Sequence, residues 1–275
     1  MATHLHVQSS YSLMDSTVKI DELVKTAKQL GYARLALTDN QVMYGIIPFY
    51  KACIKEGIQP IIGLTIEVVY ENQSRDTFTL LAKNETGYET LLQLSTDIQL
   101  SEDAYLSVDS FKQYTTGLIA ILHIEEASVN EWLRTQDITS ASNWISFWKG
   151  HFEAEDFYMG ISNQALMTSR ENITVLKTIA EQTNVSVVAV PIVAYVHEKE
   201  RFAFECLQAM KYDQTWSYEE TSVITESVTH LQAIDEFERT YDDWPELIQH
   251  TDDIANRCSL NIDFDEQMLP AYPVP

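Results

Sequence analysis

Short aliphatic runs alternate with stretches of helical period along most of the chain. Thr3–Val7, Arg34–Thr38, Gln59–Leu64, Leu118–Leu122, Phe157–Ile161 and Val187–Val190 are brief and rich in β-branched or aliphatic residues, which predicts strands. Between them, Lys19–Leu30, Ile46–Glu56, Tyr88–Ile98, Ala141–Trp148, Ser169–Thr183 and Arg201–Lys211 carry helical periodicity. In the first of these, Ile20, Leu23, Val24, Ala27 and Leu30 form the apolar stripe of a helix packed on a sheet. Gly31 and Gly57 follow their helices as C-caps. Ile66–Tyr70 and Thr77–Leu81, joined by the polar run Glu71–Asp76, predict a β-hairpin.

Repeated strand–helix units predict an α/β fold with a parallel sheet and right-handed crossovers. About seven or eight such units favour a barrel over an open sheet, and in a barrel chemistry belongs at the carboxyl ends of the strands. Those ends hold His6, Asp39 with Asn40, Thr65, His123, Ser162 and Tyr195 to His197. After the last unit the pattern changes. Glu236–Thr240 and Glu246–Arg257, introduced by Asp243-Trp244-Pro245, read as helices of a small C-terminal appendage. Met268–Pro275 contains three prolines and reads as an extended connector. The expected division is a barrel over 1–215, then an appendage and Pro-rich connector over 216–275 leading to a module absent from this chain.

Composition narrows the function classes. At 45% hydrophobic and 21% charged, the 275 residues describe a globular protein with a sizeable core. Eighteen basic residues against 41 acidic ones give a net charge of −23, a surface that repels phosphate backbones and predicts little direct nucleic-acid binding. Cys53, Cys206 and Cys258 are scattered, with no Cys-x-x-Cys pair, and read as small hydrophobes in a reducing cytoplasm. No apolar run is long enough to span a bilayer, and no signal peptide precedes His4. Glycine-rich phosphate loops are absent.

His4 and His6 are the first candidates for chemistry. On an unbroken strand, residues i and i+2 share a face, so His-x-His would present two imidazoles side by side to a metal. The competing reading is a pair of strand-end histidines satisfied locally. Asp15 follows in a loop, either as an oxygen ligand or as the N-cap of a helix starting near Thr17. His123 is read mainly as a strand-end histidine bonded to backbone. Trp132, Trp144 and Trp148 read as core or interface anchors, and Glu153, Glu155 and Asp156, like Glu125 and Glu126, as solvated acidic loops.

The run His4-Leu5-His6-Val7 with Tyr11-Ser12-Leu13-Met14-Asp15 resembles the opening of the PHP (polymerase and histidinol phosphatase) domain. It is most similar to the version at the N-terminus of bacterial DNA polymerase III alpha subunits. Ala36-Leu37-Thr38-Asp39-Asn40, Met43-Tyr44-Gly45, Gly57–Gly63, Leu80–Tyr88, Gly117–Ala120 and Leu269–Pro275 extend the resemblance to the end of the chain. It implies a distorted (β/α)7 barrel holding a trinuclear zinc or manganese cluster for phosphoester hydrolysis. Carried over position by position, His4, His6, Asp15 and His197 stand where the family has ligands. Asn40, Thr65, Thr77 and Tyr195 replace ligands of the pattern, Ile124 stands at another with His123 beside it, and Gln8 replaces a common histidine.

Threonine hydroxyls and tyrosine are poor substitutes for carboxylate or imidazole. The expectation is therefore a degenerate metal site binding at most one weakly held zinc or manganese ion, with His123 a possible fifth ligand, and no catalytic residue. The longer protein would be a DNA-directed DNA polymerase of the replication machinery. This part of it would be non-catalytic, buttressing the polymerase module of the same chain. Two alternatives compete: a residual metal-dependent phosphoesterase or 3′–5′ exonuclease using His4, His6, Asp15 and His197, and a docking module for replisome proteins or a proofreading exonuclease. The barrel reading places His4, His6 and His197 together at one mouth.

Overall fold

The computed structural model describes residues 2–101, 105–153, 155–162, 170–213 and 229–264. Its strands are β1 (His6–Val7), β2 (Arg34–Leu37), β3 (Gln59–Val69), β4 (Arg75–Ala82), β5 (Leu106–Ser107), β6 (Leu118–His123), β7 (Phe157–Ile161), β8 (Val187–Ala189) and β9 (Ile192–Val193). The helices are α1 (Ile20–Gln29), α2 (Ile46–Glu56), α3 (Glu85–Leu100), α4 (Val108–Phe111), α5 (Val129–Arg134), α6 (Ile138–Lys149), α7 (Arg170–Thr183), α8 (Arg201–Lys211), α9 (Ile234–Thr240) and α10 (Glu246–Arg257). No described helix is long and apolar enough to cross a membrane. Ser169 and the Pro-rich run Met268–Pro275 lie outside the described residues.

The main sheet runs β2-β3-β4-β6-β7-β8, with β4 antiparallel to both neighbours and the other pairs on this path parallel. Backbone bonds close the curl. β9 continues the line of β8 and pairs with β1, and β1 meets β2 through Ala36 N to His4 O (3.2 Å) and Thr38 N to Val7 O (2.8 Å). The result is a distorted α/β barrel in which one strand is reversed. β3 runs unbroken through Thr65, where the sequence pattern suggested two strands. Gly63 permits that run, because a Cβ there would lie 2.5 Å from the carbonyl oxygen of Leu80 on the reversed strand.

Two apolar layers hold the barrel. Leu5, Ala36, Ile61, Leu81, Ile119, Ile121, Val188 and Val190 fill the interior, each 1% exposed or less. The outer layer packs the opposite strand face against the helices, with Leu23 and Val24 of α1, Phe49 of α2 and Leu91 of α3 fully buried. Ile254 and Ala255 of α10, with Cys258 just after it, join the inner cluster.

Polar contacts of α10 go to the amino ends of the strands. Thr3 N donates to Thr251 Oγ1 (3.1 Å), and Arg34 pairs with Asp252 (2.6 Å). Gln59 Nε2 donates to the Cys258 carbonyl (2.7 Å), and His250 Nδ1 lies 2.6 Å from the Val187 carbonyl. This helix is the barrel floor. The acidic loop also differs from its solvated reading: Asp156 is 1% exposed and ion-paired with Lys83 and Arg257, and Glu153 pairs with Lys83 at 2.8 Å.

Candidate functional site

The mouth opposite that floor gathers side chains from five strands or their ends. Thr65 on β3 donates its hydroxyl to the Thr38 carbonyl after β2 (2.9 Å). Its Oγ1 lies 3.4 Å from Thr79 Oγ1 on β4, and Thr79 Oγ1 lies 2.8 Å from His123 Nε2 at the end of β6. The His123 ring meets the His6 ring edge-on, with centroids 4.5 Å apart. One hydroxyl hydrogen per threonine orders this row. With the Thr65 hydrogen on Thr38, Thr79 donates to Thr65 and accepts from an Nε2–H of His123. Burial lowers the proton affinity of His123 and, more strongly, of His6, so both rings are neutral at physiological pH.

Among the described residues, His6 is buried with neither ring nitrogen hydrogen-bonded, and Gln8 Oε1 is likewise buried without a partner. His4 does not join them. Leu5 packs in the inner cluster and Val7 in the outer one, so the strand alternation breaks between them and His4 and His6 face different surroundings. The His4 ring stacks on Phe237 at 4.3 Å and lies 5.4 Å from Tyr32, beneath α9. Its pKa is lowered to about 3, chiefly by burial and then by nearby His230. The side-by-side imidazole pair expected from His-x-His is absent because the pleat is interrupted. The imidazole beside His6 is His123, which bonds a side-chain hydroxyl rather than backbone.

The carboxylates around the mouth are engaged elsewhere. Asp39 is fully buried and accepts from Ser9 N (2.6 Å), Ser9 Oγ (2.8 Å) and Ser12 Oγ (2.7 Å), which fixes the loop after β1. Burial raises its pKa while those serine bonds oppose the rise. Asp15 pairs with Lys211 of α8 and accepts from Asn40 Nδ2 (3.3 Å). Asp15 does not cap α1, which begins at Ile20.

His197 sits apart. Its Nε2 is 3.3 Å from Glu22 Oε1 on α1, and its backbone N–H donates to Glu200 Oε2 (3.1 Å). Glu22, His197 and Glu200 are the one group of three potential ligands among the described residues, and they lie on partly exposed surface. Tyr195 is buried against Phe204 and His230, and Ile124 points into the outer core. Thr77 stands opposite Glu67, one strand alternation beyond Thr79. His4, His6 and His197 therefore do not converge, and Thr79 and Thr38 enter the row unannounced by any chemical signature.

This donor set does not fit the three-metal cluster implied by the resemblance. The row contains two imidazoles and two hydroxyls and no carboxylate. The nearby aspartates already bind a lysine ammonium and serine donors. The arrangement is a neutral polar network across a barrel mouth, complete in itself except at His6 and Gln8.

The chain is 33% identical over 278 residues to DNA polymerase III subunit alpha of Bacillus subtilis, a match covering 99% of this chain and 24% of that protein. Against the same subunit of Halalkalibacterium halodurans it is 29% identical over 276 residues, covering 100% and 24%. The chain thus spans about a quarter of the length of the curated relatives it matches. Among solved structures, an amidohydrolase from Chromobacterium violaceum is similar over 75% of this chain and 97% of its own, with 12% identity and a TM-score of 0.46. The PHP domain family matches residues 4–164, a span that takes in β1 to β7. That match takes in the whole polar row at the mouth, and the chain belongs to the PHP domain family.

Proposed function

We propose that this chain is the N-terminal PHP region of a replicative DNA polymerase III alpha subunit in the bacterial cytoplasm, and that it acts there as a non-hydrolytic scaffold. Its relatives supply the first half of that reading, since each is a DNA polymerase III alpha subunit matched along nearly the whole of this chain. The second half rests on one observation: Thr65 and Thr79 occupy the mouth beside His6 and His123, where a hydrolytic cluster needs carboxylates. Metal-assisted hydrolysis requires an activated water and a clamp on the leaving oxygen, and paired hydroxyls supply neither. Such a barrel serves the polymerase module by its shape and surface. Replisome proteins, including a proofreading exonuclease, are the partners this role implies.

The test is direct. The purified chain, incubated with zinc or manganese, should retain substoichiometric metal by elemental analysis. It should release nothing from bis-p-nitrophenyl phosphate or from the 3′ ends of labelled DNA. Metal-dependent hydrolysis that disappears in His6→Ala would overturn the scaffold reading in favour of a residual phosphoesterase.

A further inference from the structure

Away from the barrel mouth, the β3–β4 hairpin, α4 and α5–α6 enclose a groove of about 750 Å³. Tyr70, Trp132 and Trp144 form its aromatic wall, and Glu71, Asp109 and Glu131 line it as exposed acids. Among the described residues, no lysine, arginine or histidine lines it. Asp109 is paired with Lys112 at 3.0 Å, while Glu71 and Glu131 have no ion pair with a described residue. The aromatic wall is built in advance of any ligand. Trp132 meets Trp144 edge-on at 5.9 Å, Tyr70 lies 4.9 Å from Trp144, and Trp144 Nε1 donates to the buried Asp76 at 2.9 Å. Both tryptophans are only partly buried despite these anchors.

We propose that this groove docks an extended segment of a partner protein by an arginine side chain, laid on the Trp132 indole and held by Glu71 and Glu131. Three observations select that occupant. A planar guanidinium stacks on aromatic rings and pairs with carboxylates, satisfying both kinds of wall at once. The groove continues past Ser128 and Glu131 into a second hollow of about 630 Å³, so it suits a chain segment rather than a lone small molecule. That second hollow mixes Arg75 and Arg134 with Glu126 and Glu131, whereas the charged residues lining the first are all acids, which assigns the cationic residue to the first. Tryptophans also stack nucleic-acid bases, but acids on the wall and a net charge of −23 repel the phosphates that would accompany them. The proposal does not depend on whether the barrel hydrolyses anything.

The probe is a fluorescein-labelled glycine–serine peptide carrying a pair of arginines, titrated with the intact chain at physiological salt and read by anisotropy. A glutamate version of the peptide and a labelled oligothymidylate are run beside it. The arginine peptide should bind and the other two should not. The double variant Glu71→Gln with Glu131→Gln should weaken binding about tenfold, as loss of two charge contacts at one stacked cation requires. A control pair of equal net charge, Glu89→Gln with Glu246→Gln at exposed helix positions, should change it less than about twofold. Trp132→Ala should weaken binding as well, and the two glutamine pairs keep the test decisive if that variant folds poorly. Equal weakening by both glutamine pairs would reduce the contact to bulk charge and overturn the proposal. Tighter binding of oligothymidylate than of the arginine peptide, or no peptide binding at millimolar concentration, would overturn it too.

Discussion

A buried imidazole without a hydrogen-bond acceptor is costly at neutral pH and costlier in acid. His4 is such a group, faced by Phe237, by the Tyr32 ring and by His230, with neither ring nitrogen bonded to a described side chain. Its pKa falls from 6.5 to about 3, so below 6.5 the unfolded chain binds a proton that the folded chain refuses. Stability therefore drops as pH falls, by about 2 kcal/mol at roughly pH 5 from this residue alone. In urea unfolding at pH 7 and pH 5, His4→Leu should lose less stability on acidification than the parent by about that amount. Identical acid losses in the two proteins would refute the assignment. His4 also marks the limit of what the sequence reveals here. The His-x-His motif was legible, but the broken pleat that separates its two rings depends on tertiary packing around Leu5 and Val7. Thr79 was missed for a related reason. Its place beside His123 follows from register on a reversed strand, and threonine carries no signal of its own.

Periodicity, by contrast, was a sound guide to the elements. The stripe in Lys19–Leu30 and the hairpin around Glu71–Asp76 both stand in the structure within a few residues. The sequence alone did not disclose what ties elements together. Asp76, fully buried on β4, accepts from Ser128 N (2.8 Å), Trp144 Nε1 (2.9 Å), Trp148 Nε1 (3.1 Å) and the Tyr70 hydroxyl. One carboxylate thereby joins the hairpin, the start of α5 and the inner face of α6. Burial and the Asp76 charge hold the Tyr70 hydroxyl well above its ordinary pKa, so it remains a donor at any working pH. Asp76→Ala strands those donors and should cost about 3 kcal/mol in urea unfolding. A loss below about 1 kcal/mol would mean that water replaces the carboxylate and that packing alone fixes α6.

For the molecule as a whole, the alternating pattern correctly indicated an α/β barrel, and the charge balance supplies its own prediction. At −23, the isolated chain should show no useful affinity for labelled primer–template DNA even at low salt. Tight binding that weakens steeply with salt would reveal a basic patch strong enough to override the total. The position of α10 carries a consequence for how the chain is made. Thr3 is fixed by Thr251 across a separation of 248 residues, and the floor beneath β1, β2, β3 and β8 comes from one late helix. A chain emerging from the ribosome amino end first must hold its opening strands unfinished until that helix arrives. During synthesis, then, the interior of the barrel stays open from below until α10 has emerged.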